Sequence, residues 1–325
     1  MSDDLIIRPF DPNNPFDYQT LAELHNYSAP EDKTTALALQ VSDQFRDSKI
    51  VCQRFVAEQN NLIKGYGSFE HSAAAFDPNK YLLNLVVDPA FQNRGAGSKL
   101  YSVVMAELEK LNPQVARTWA MKDHPAAASF AEKRGFVRGR IKWNIVLDVE
   151  ACILNQFDDL LAVINRDGIE VKSLAELKNN PNHLRQLYDL YVRTIESIDS
   201  PDAEVLPNFE DFAKNDDKFA PDTTFVATHQ NNYIGMWQLD SLTGGVLYGG
   251  IMGVDEPYRR RGAALALTYH AVNFAKRFRY KTLTAHTDEH NRAILTLAER
   301  FGFTHLSAQV LFSRFFEHDQ INKSF

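Results

Sequence analysis

The chain has 325 residues, more than one typical domain of about 100 to 200 residues, so its length predicts two domains. Hydrophobic residues make up 44% and charged residues 24%, which is ordinary for a globular protein and excludes a disordered chain or a coiled coil. The net charge of -7 and the pI near 5.8 argue against a broad nucleic-acid-binding surface.

No apolar run approaches the roughly 18 residues of a membrane span, and the opening stretch MSDDLIIRPF is acidic where a signal peptide would be basic. We therefore expect a cytoplasmic protein without a membrane partner. The two cysteines, Cys52 and Cys152, form no CxxC pair and have no histidine at ligand spacing. Neither a disulfide framework nor a metal site is therefore expected.

In chain order, the first predicted elements are a strand, a helical region and a hairpin at 55–70, FVAEQNNLIKGYGSFE, whose alternating β-rich runs flank a polar turn. An apolar strand, LLNLVV, leads into the loop QNRGAG at 92–97, and a helix with an apolar stripe follows. A short strand, a second helix ending in Gly-Phe and a long strand at 140–149 complete this order.

The same order of elements recurs 167 residues later. The hairpin reappears as FVATHQNNYIGMWQLD at 225–240, the loop as RRRGAA at 259–264, and the second helix as NRAILTLAERFGF. A connecting helix is predicted between the copies, in ACILNQFDDLLAVINRDG. The repeat thus predicts domains at 1–150 and 169–325, joined by a helix at 151–168.

Each loop lies between a strand and the start of a helix, where unpaired backbone N–H groups and the helix dipole attract an anion. A dinucleotide-binding fold would need GxGxxG, but Leu100 occupies the third glycine position. A P-loop would need GxxxxGKS or GxxxxGKT, which is absent. For a single loop, a phosphate cradle and an ordinary turn remain as alternatives.

Two sequence elements occur in both copies and together resemble the GCN5-related N-acetyltransferase (GNAT) superfamily. Its signature is a strand ending in V-x-P, followed by Q/R-x-x-G-x-G/A at the start of a helix. VVDPAFQNRGAG matches, and GVDEPYRRRGAA matches with Glu256 inserted before the proline position. The family's second element, a helix that follows an Asn and ends in Gly-Phe, has Asn291 in the second copy and His124 in the first. The resemblance covers nearly the full chain.

The resemblance implies an α/β (α+β) fold of two tandem domains, each a mixed, splayed, mostly antiparallel sheet flanked by helices. It also implies that acetyl-CoA is the co-substrate and lies in the splay between the fourth and fifth strands. The implied binding residues pair with pantetheine, cradle the pyrophosphate or lie beside the sulfur arm: Leu85, Val86, Val87, Gln92, Asn93, Arg94, Gly95, Ala96, Gly97, Met252, Gly253, Val254, Arg259, Arg260, Arg261, Gly262, Ala263, Ala264 and Asn291.

Some of these residues have an alternative interpretation. Arg94, Arg259 and Arg261 could contact the phosphates or remain solvated. Asn291 could instead cap its helix. The two loop glycines, at 95 and 262, are expected to accept a larger side chain with little effect on the fold, since their function would be to admit phosphate.

Acetyl transfer to an amine needs a base for the nucleophile and a proton for the departing thiolate. Many family members place a Tyr four residues before the Gly of Gly-Phe, whereas this chain has Ala131 and Ala298 there. Neither the acid nor the base is therefore assigned. Base candidates that would face the splay are Glu70, Asp240, His286, Asp288, Glu289 and His290, with Trp119, Met121, Lys122 and Asp123 at the equivalent positions of the first copy.

The predicted function is acetyl transfer from acetyl-CoA to a primary amine of a small molecule or peptide by direct attack. The alternative is a non-catalytic CoA-binding sensor or scaffold, and the oligomeric state is left open. The second copy is favoured for transfer because a carboxylate-rich stretch at 193–219 would attract a cationic amine. Its acidic residues are Glu196, Asp199, Asp202, Glu204, Glu210, Asp211, Asp216 and Asp217, against Glu31, Asp32, Asp43 and Asp47 in the first copy.

Overall fold

The structure is a computed structural model that describes residues 4–30, 33–73, 75–197, 206–214 and 219–316. These residues form two compact units. The first unit consists of the described parts of Met1–Ala120, Ala126–Gly139 and Leu311–Phe325, and the second of Met121–Pro125 and the described parts of Arg140–Val310.

The first unit is a sheet with helices on both faces. Its strands are β1 (Ile6–Pro9), β2 (Cys52–Gln59), β3 (Leu62–Glu70), β4 (Lys80–Val87) and most of β5 (Val115–Met121). Its helices are α1 (Pro15–Ser28), α2 (Ala36–Gln44), α3 (Ala96–Glu109) and α4 (Pro125–Glu132). The strands lie in the order β1-β2-β3-β4-β5, and only the last pair is parallel.

The second unit repeats this plan. Its strands are most of β6 (Val137–Asp148), then β7 (Ile169–Ser173), β8 (Thr224–His229), β9 (Asn232–Leu242), β10 (Val246–Val254), β11 (Thr282–Asp288) and the first part of β12 (Thr304–Phe315). Its helices are α5 (Asp158–Arg166), α6 (Leu174–Leu177), α7 (His183–Glu196), α8 (Phe209–Lys214), α9 (Ala263–Arg277) and α10 (Arg292–Phe301). The strands lie in the order β7-β8-β9-β10-β11-β6.

In this unit the pair β10–β11 is parallel and the other neighbours are antiparallel. Both units therefore have the mixed, mostly antiparallel sheet that the family resemblance implies. None of the helices in the described ranges is long and apolar enough to cross a membrane.

Both predicted hairpins are present, and each turns on two residues with left-handed backbone. The φ angles are 53° and 61° at Asn60 and Asn61, and 49° and 66° at Gln230 and Asn231. Two successive left-handed residues match the twist of the flanking strands, and Asn adopts this conformation more readily than most residues. The polar pair in each sequence run thus marks the turn.

The last strand of the first sequence copy extends into the sheet of the second unit. Residues of β6 pair with β11 from Lys142↔Asp288 to Asp148↔Thr282, so β6 occupies the place next to β11. Likewise, β12 begins in the second unit and its residues from Leu311 onward belong to the first. The predicted limits at 1–150 and 169–325 follow the sequence repeat and stay a prediction.

Helices pack against both faces of each sheet. In the second unit, α9 and α10 cover a core that includes Leu239, Leu247 and Leu283 from three neighbouring strands. On the opposite face, α7 packs over β9 and β10, and its Tyr191 and Leu187 belong to the core cluster on that side. In the first unit α3 and α1 take the corresponding places.

Candidate functional site

The predicted splay is present in each sheet, because the parallel pair is joined only at its beginning. Pairing of β4 with β5 covers Lys80–Leu82, and pairing of β10 with β11 covers Val246–Gly249. Beyond these points the parallel strands separate. The residues predicted to pair with pantetheine, 85–87 and 252–254, lie in the part of β4 and β10 that borders this gap.

The two loops that follow these strands have the same backbone. Gly95 and Gly262 precede α3 and α9, and both have a φ of 88°. Asn93 and Arg260 occupy equivalent positions and are left-handed too, at 59° and 64°. Such a turn leaves the first N–H groups of the helix without backbone partners, which is the arrangement that binds phosphate groups.

The first side chain of each loop folds back onto the strand. Gln92 Nε2 donates to the backbone oxygen of Val87 at 3.1 Å, and Arg259 Nε donates to that of Val254 at 3.0 Å. Different residue types thus fix the same strand-to-loop connection. Arg259 uses its Nε for this purpose, so only its terminal nitrogens are left to approach an anion.

The third side chain of each loop lies over an aromatic ring. The guanidinium of Arg94 is 5.3 Å from the ring centre of Phe91, and that of Arg261 is 5.5 Å from the ring centre of Tyr258. Both arginines are exposed. Stacking of this kind orients a guanidinium and leaves its edge nitrogens available to a phosphate.

The surroundings of the two glycines differ. A Cβ added to Gly95 would have no neighbour within 4 Å among the residues that the structure describes. A Cβ added to Gly262 would lie 2.6 Å from Ile164 Cγ1 and closer still to Ile164 Cδ1. The expectation that Gly262 accepts a larger side chain with little effect on the fold is therefore wrong, because α5 packs directly against this position.

Asn291 is the N-cap of α10. Its Oδ1 accepts a hydrogen bond from the backbone N–H of Ile294 at 3.3 Å. Of the two interpretations of Asn291, capping is thus visible in the geometry. Ala131 and Ala298, which stand where many family members have a Tyr, are both buried in the core.

A row of polar side chains crosses the second sheet where the splay begins. Asp240 on β9 pairs with Tyr248 on β10, and Tyr248 pairs with Thr284 on β11. Paired residues share a face of a sheet, as do residues two apart on one strand, so His286 lies on this face too. The rings of Tyr248 and His286 are 5.3 Å apart. Asp240, Tyr248 and His286 are called the polar row below.

The equivalent residues of the first unit are of other types. Glu70 pairs with Leu82, Leu82 pairs with Arg117, and Trp119 lies two residues further along β5. Glu70 forms an ion pair with Arg46 at 3.3 Å. By contrast, Asp240 accepts its 3.4 Å hydrogen bond from the neutral amide of Gln238. The first unit thus has no tyrosine or histidine at the equivalent positions. Its carboxylate, Glu70, is already paired with the guanidinium of Arg46.

A β-bulge accompanies the polar row. The β9–β10 register shifts between Gly249 and Met252. From the pair Asp240↔Tyr248 to the pair Gly235↔Val254, β9 advances five residues (240 − 235) and β10 six (254 − 248). The β3–β4 register runs from Glu70↔Leu82 to Gly65↔Val87, five residues on each strand, without a shift.

Sequence reasoning missed this bulge. The signal was nonetheless present, since Leu82 corresponds to Tyr248 at an offset of 166 (248 − 82), whereas Val87 corresponds to Val254 at an offset of 167 (254 − 87). A change of one in the repeat offset inside a strand indicates one extra residue.

The remaining base candidates of the second copy have structural partners. Asp288 lies 3.6 Å from Arg140 and accepts from the backbone N–H of His290. Glu289 Oε1 accepts from the backbone N–H of Ile141 at 3.2 Å. In the first copy, Lys122 lies over the ring of Trp143. The roles of Met121 and Asp123 stay predictions.

Part of the acidic stretch lies outside the described residues. This applies to Asp199, Asp202, Glu204, Asp216, Asp217, Glu31 and Asp32. Of the residues that are described, Glu196 and Glu210 are exposed, and Asp211 accepts a hydrogen bond from Asn208 at the start of α8. Preference for the second copy on charge alone stays a prediction.

Comparison with known proteins agrees with this architecture. The Acetyltransferase (GNAT) family profile matches residues 184–303, and an Acetyltransferase (GNAT) domain profile matches residues 52–138. A GCN5-related N-acetyltransferase from Sphaerobacter thermophilus superposes with a TM-score of 0.74 at 16% identity, covering 97% of this chain and 96% of that one. A tandem GNAT protein from the clavulanic acid biosynthesis pathway gives 0.73 at 14% identity, covering 97% and 100%.

Among relatives by sequence, the mycothiol acetyltransferase of Amycolatopsis mediterranei is 26% identical over 277 residues, which is 81% of this chain and 84% of the relative. That of Acidothermus cellulolyticus is 26% identical over 275 residues, 80% and 78% of the two chains. The two loops, the two splays and both profile matches agree. The chain belongs to the GNAT family as a tandem member and is an N-acetyltransferase that uses acetyl-CoA.

Proposed function

We propose that this protein acetylates a primary amine of a small molecule by direct attack of the amine, and that transfer takes place at the splay of the second unit. The observation that carries the proposal is the combination of the bulge in β10 with the polar row. Both lie where β10 and β11 separate, and neither has a counterpart at the first splay.

Bound acetyl-CoA would supply the acetyl group as an activated thioester. The residues predicted to hold it fit this task, because both loops present helix N-termini with left-handed glycines. Leu85–Val87 and Met252–Val254 would pair with the pantetheine arm through their backbone groups. At the bulge, Gly250 and Ile251 stand opposite a single residue, and an extra residue of this kind is left outside the regular ladder. A backbone N–H freed in this way would be available to stabilise the negative charge that develops on the thioester oxygen.

An amine with a pKa of about 10 is mostly protonated at neutral pH and must lose a proton before it attacks. His286 is the first β11 residue beyond the last pair with β10, and it is exposed. Imidazole is the side chain that most often acts as a general base near neutral pH. We assign His286 as the base and Asp240 as the carboxylate that attracts the ammonium form of the acceptor.

The relatives support a small acceptor, since several are named mycothiol acetyltransferases and align over most of this chain. A peptide amine remains the second acceptor class. The carboxylate in the polar row favours acceptors that carry a cationic amine and little negative charge.

The test is release of free thiol from acetyl-CoA with a panel of small amines and of peptides with free N-termini. We expect turnover with small cationic amines, and an Asp240→Asn variant should raise the acceptor KM while leaving the KM for acetyl-CoA unchanged. Turnover with peptides alone would overturn the small-acceptor assignment. An equal effect of Asp240→Asn on both KM values would overturn its role in acceptor binding.

A further inference from the structure

The connecting helix α5 contacts the second phosphate loop. The three atoms nearest to an ideal Cβ on Gly262 all belong to Ile164. Ile164 is 7% exposed and shares a hydrophobic cluster with Ala263 and Ala266, in the first turn of α9. Gly262 is therefore held on one side by an apolar side chain from a different element.

Ile164 lies on the side of the loop away from the splay. Helix α5 contacts β7 and α9, and β7 is the edge strand of the unit. The splay lies between β10 and β11, with β8, β9 and β10 between it and that edge. The loop residues 259–261 remain exposed despite the contact. Ile164 thus supports the loop from behind and leaves the face for an anion open.

We propose that Ile164 is a positioning residue for acetyl-CoA at the second loop. By filling the space against Gly262, it holds this left-handed residue and the N–H groups of the first turn of α9 in the geometry that receives the pyrophosphate. A cradle that is already fixed loses less conformational freedom when its ligand binds. This inference rests on the proposed function of the second splay as the site of transfer.

The first loop provides the internal contrast. It has the same φ at its glycine, yet no atom of the described residues lies within 4 Å of a Cβ at Gly95. Within the part of the chain that the structure describes, such support is therefore found at the second loop and not at the first, and removing it should change the second loop.

The experiment compares Ile164→Ala, Ile164→Val and the matched control Leu161→Ala, a second buried residue of α5. Acetyl-CoA affinity is measured by calorimetry, and KM and kcat by thiol release. We expect Ile164→Ala to raise the KM for acetyl-CoA and the Kd of the second site about 5- to 20-fold, with kcat within about twofold of wild type. Ile164→Val should stay within about threefold, and Leu161→Ala should lower Tm with little change in KM.

Two results would overturn the proposal. If Ile164→Ala and Leu161→Ala raised KM and Kd equally, Ile164 would serve only the packing of α5. If Ile164→Ala lowered the Kd, Ile164 would obstruct the loop and not support it. Calorimetry needs no acceptor, so the outcome stands even if no amine is turned over, and a failure of the proposed transfer is thereby distinguished from a failure of this inference.

A double variant sharpens the result. Gly262→Ala creates a clash with Ile164, and adding Ile164→Ala removes the clashing atoms. If the contact positions the loop, the double variant should recover part of the Tm lost by Gly262→Ala and still bind acetyl-CoA weakly. Full recovery of affinity in the double variant would contradict the positioning role.

Discussion

The two splays of this protein share a loop backbone and differ in what surrounds it. Both loops have a glycine with a φ of 88° and an arginine over an aromatic ring. Among the described residues, a bulged strand, the polar row and a helix packed against the loop glycine are found at the second splay and not at the first. The proposed phosphate cradles are thus built from a few consecutive residues, whereas the proposed transfer site combines residues from three strands.

The largest expected effect concerns His286. If the second splay is the site of transfer, His286→Ala should lower kcat by about 10²- to 10⁴-fold, the usual contribution of a general base. The measurement is thiol release with the best small amine, together with calorimetry to show that acetyl-CoA still binds. The matched control is His290→Ala, whose side chain is 76% exposed and contacts Asp288. Equal losses in both variants would remove His286 from the role of base.

The next largest effect concerns the loop glycines, because replacing Gly95 and replacing Gly262 should lower stability by different amounts. Any L-residue at a left-handed position costs about 1–2 kcal/mol. Gly95→Ala should therefore lower the free energy of unfolding by only that amount. Gly262→Ala should cost about 1–3 kcal/mol more, because its Cβ also overpacks against Ile164. Urea unfolding of the two variants measures this difference. If both variants lose a similar free energy of unfolding, α5 moves away from position 262 without a cost in stability.

The ion-pair network of the first unit gives a prediction for pH. Burial alone would raise the pKa of Asp43, but hydrogen bonds from Arg54, Arg46 and Tyr18 outweigh it and lower the pKa. Stability from this carboxylate is therefore present above its unfolded pKa of about 3.9 and lost as pH falls through the lower folded value. Asp43→Asn should cost about 1–2 kcal/mol at pH 7, since the group is partly exposed.

Urea unfolding of wild type and Asp43→Asn between pH 7 and pH 2.5 measures this difference. The difference in free energy of unfolding between the two proteins should be constant near neutrality and become smaller below about pH 4. If this difference in free energy stays the same down to pH 2.5, Asp43 contributes through packing and not through its charge.

The smallest expected effect is at the start of α10. Asn291→Ala should lower the free energy of unfolding by about 1 kcal/mol through loss of the cap. Asn291→Ser retains a capping oxygen and should restore most of that stability. If the serine variant is stable but its KM for acetyl-CoA rises several-fold, Asn291 also contacts the co-substrate. An unchanged KM would leave capping as its only role.

Local patterns in the sequence predicted most of the fold. The alternating runs around Asn60 and Asn231, and the glycines at the helix starts, act over a few residues and can be recognised without tertiary context. What lay beyond prediction depends on residues distant in the chain. The contact of Ile164 with Gly262 joins positions 98 residues apart (262 − 164), and the pairing of β6 with β11 joins positions more distant still.

The candidate site likewise has a part that could be predicted from the sequence and a part that could not. The loop residues were predicted because their spacing carries the chemistry. Asp240 and His286 were only two of several candidates, and Tyr248 was not among them, since the sequence does not state which strands are neighbours. The extra residue in β10 also changes which side chains face each other. A one-residue difference of this kind reverses the face on which every later side chain of a strand lies.

The short parallel pairing has a consequence for isotope exchange. In an antiparallel ladder alternate residues turn their N–H groups away from the partner strand. The backbone N–H of Asp88 donates to the backbone oxygen of Lys64, and that of Asp255 donates to the backbone oxygen of Ile234. The N–H groups of the preceding residues, Val87 and Val254, therefore point away from the antiparallel partner and border the gap. In free protein these amides should take up deuterium quickly beside slowly exchanging neighbours on the same strand. If acetyl-CoA slows amide exchange at Val87, it has entered the first gap, and if it slows exchange at Val254, it has entered the second. Slower exchange at both would show that both gaps are occupied.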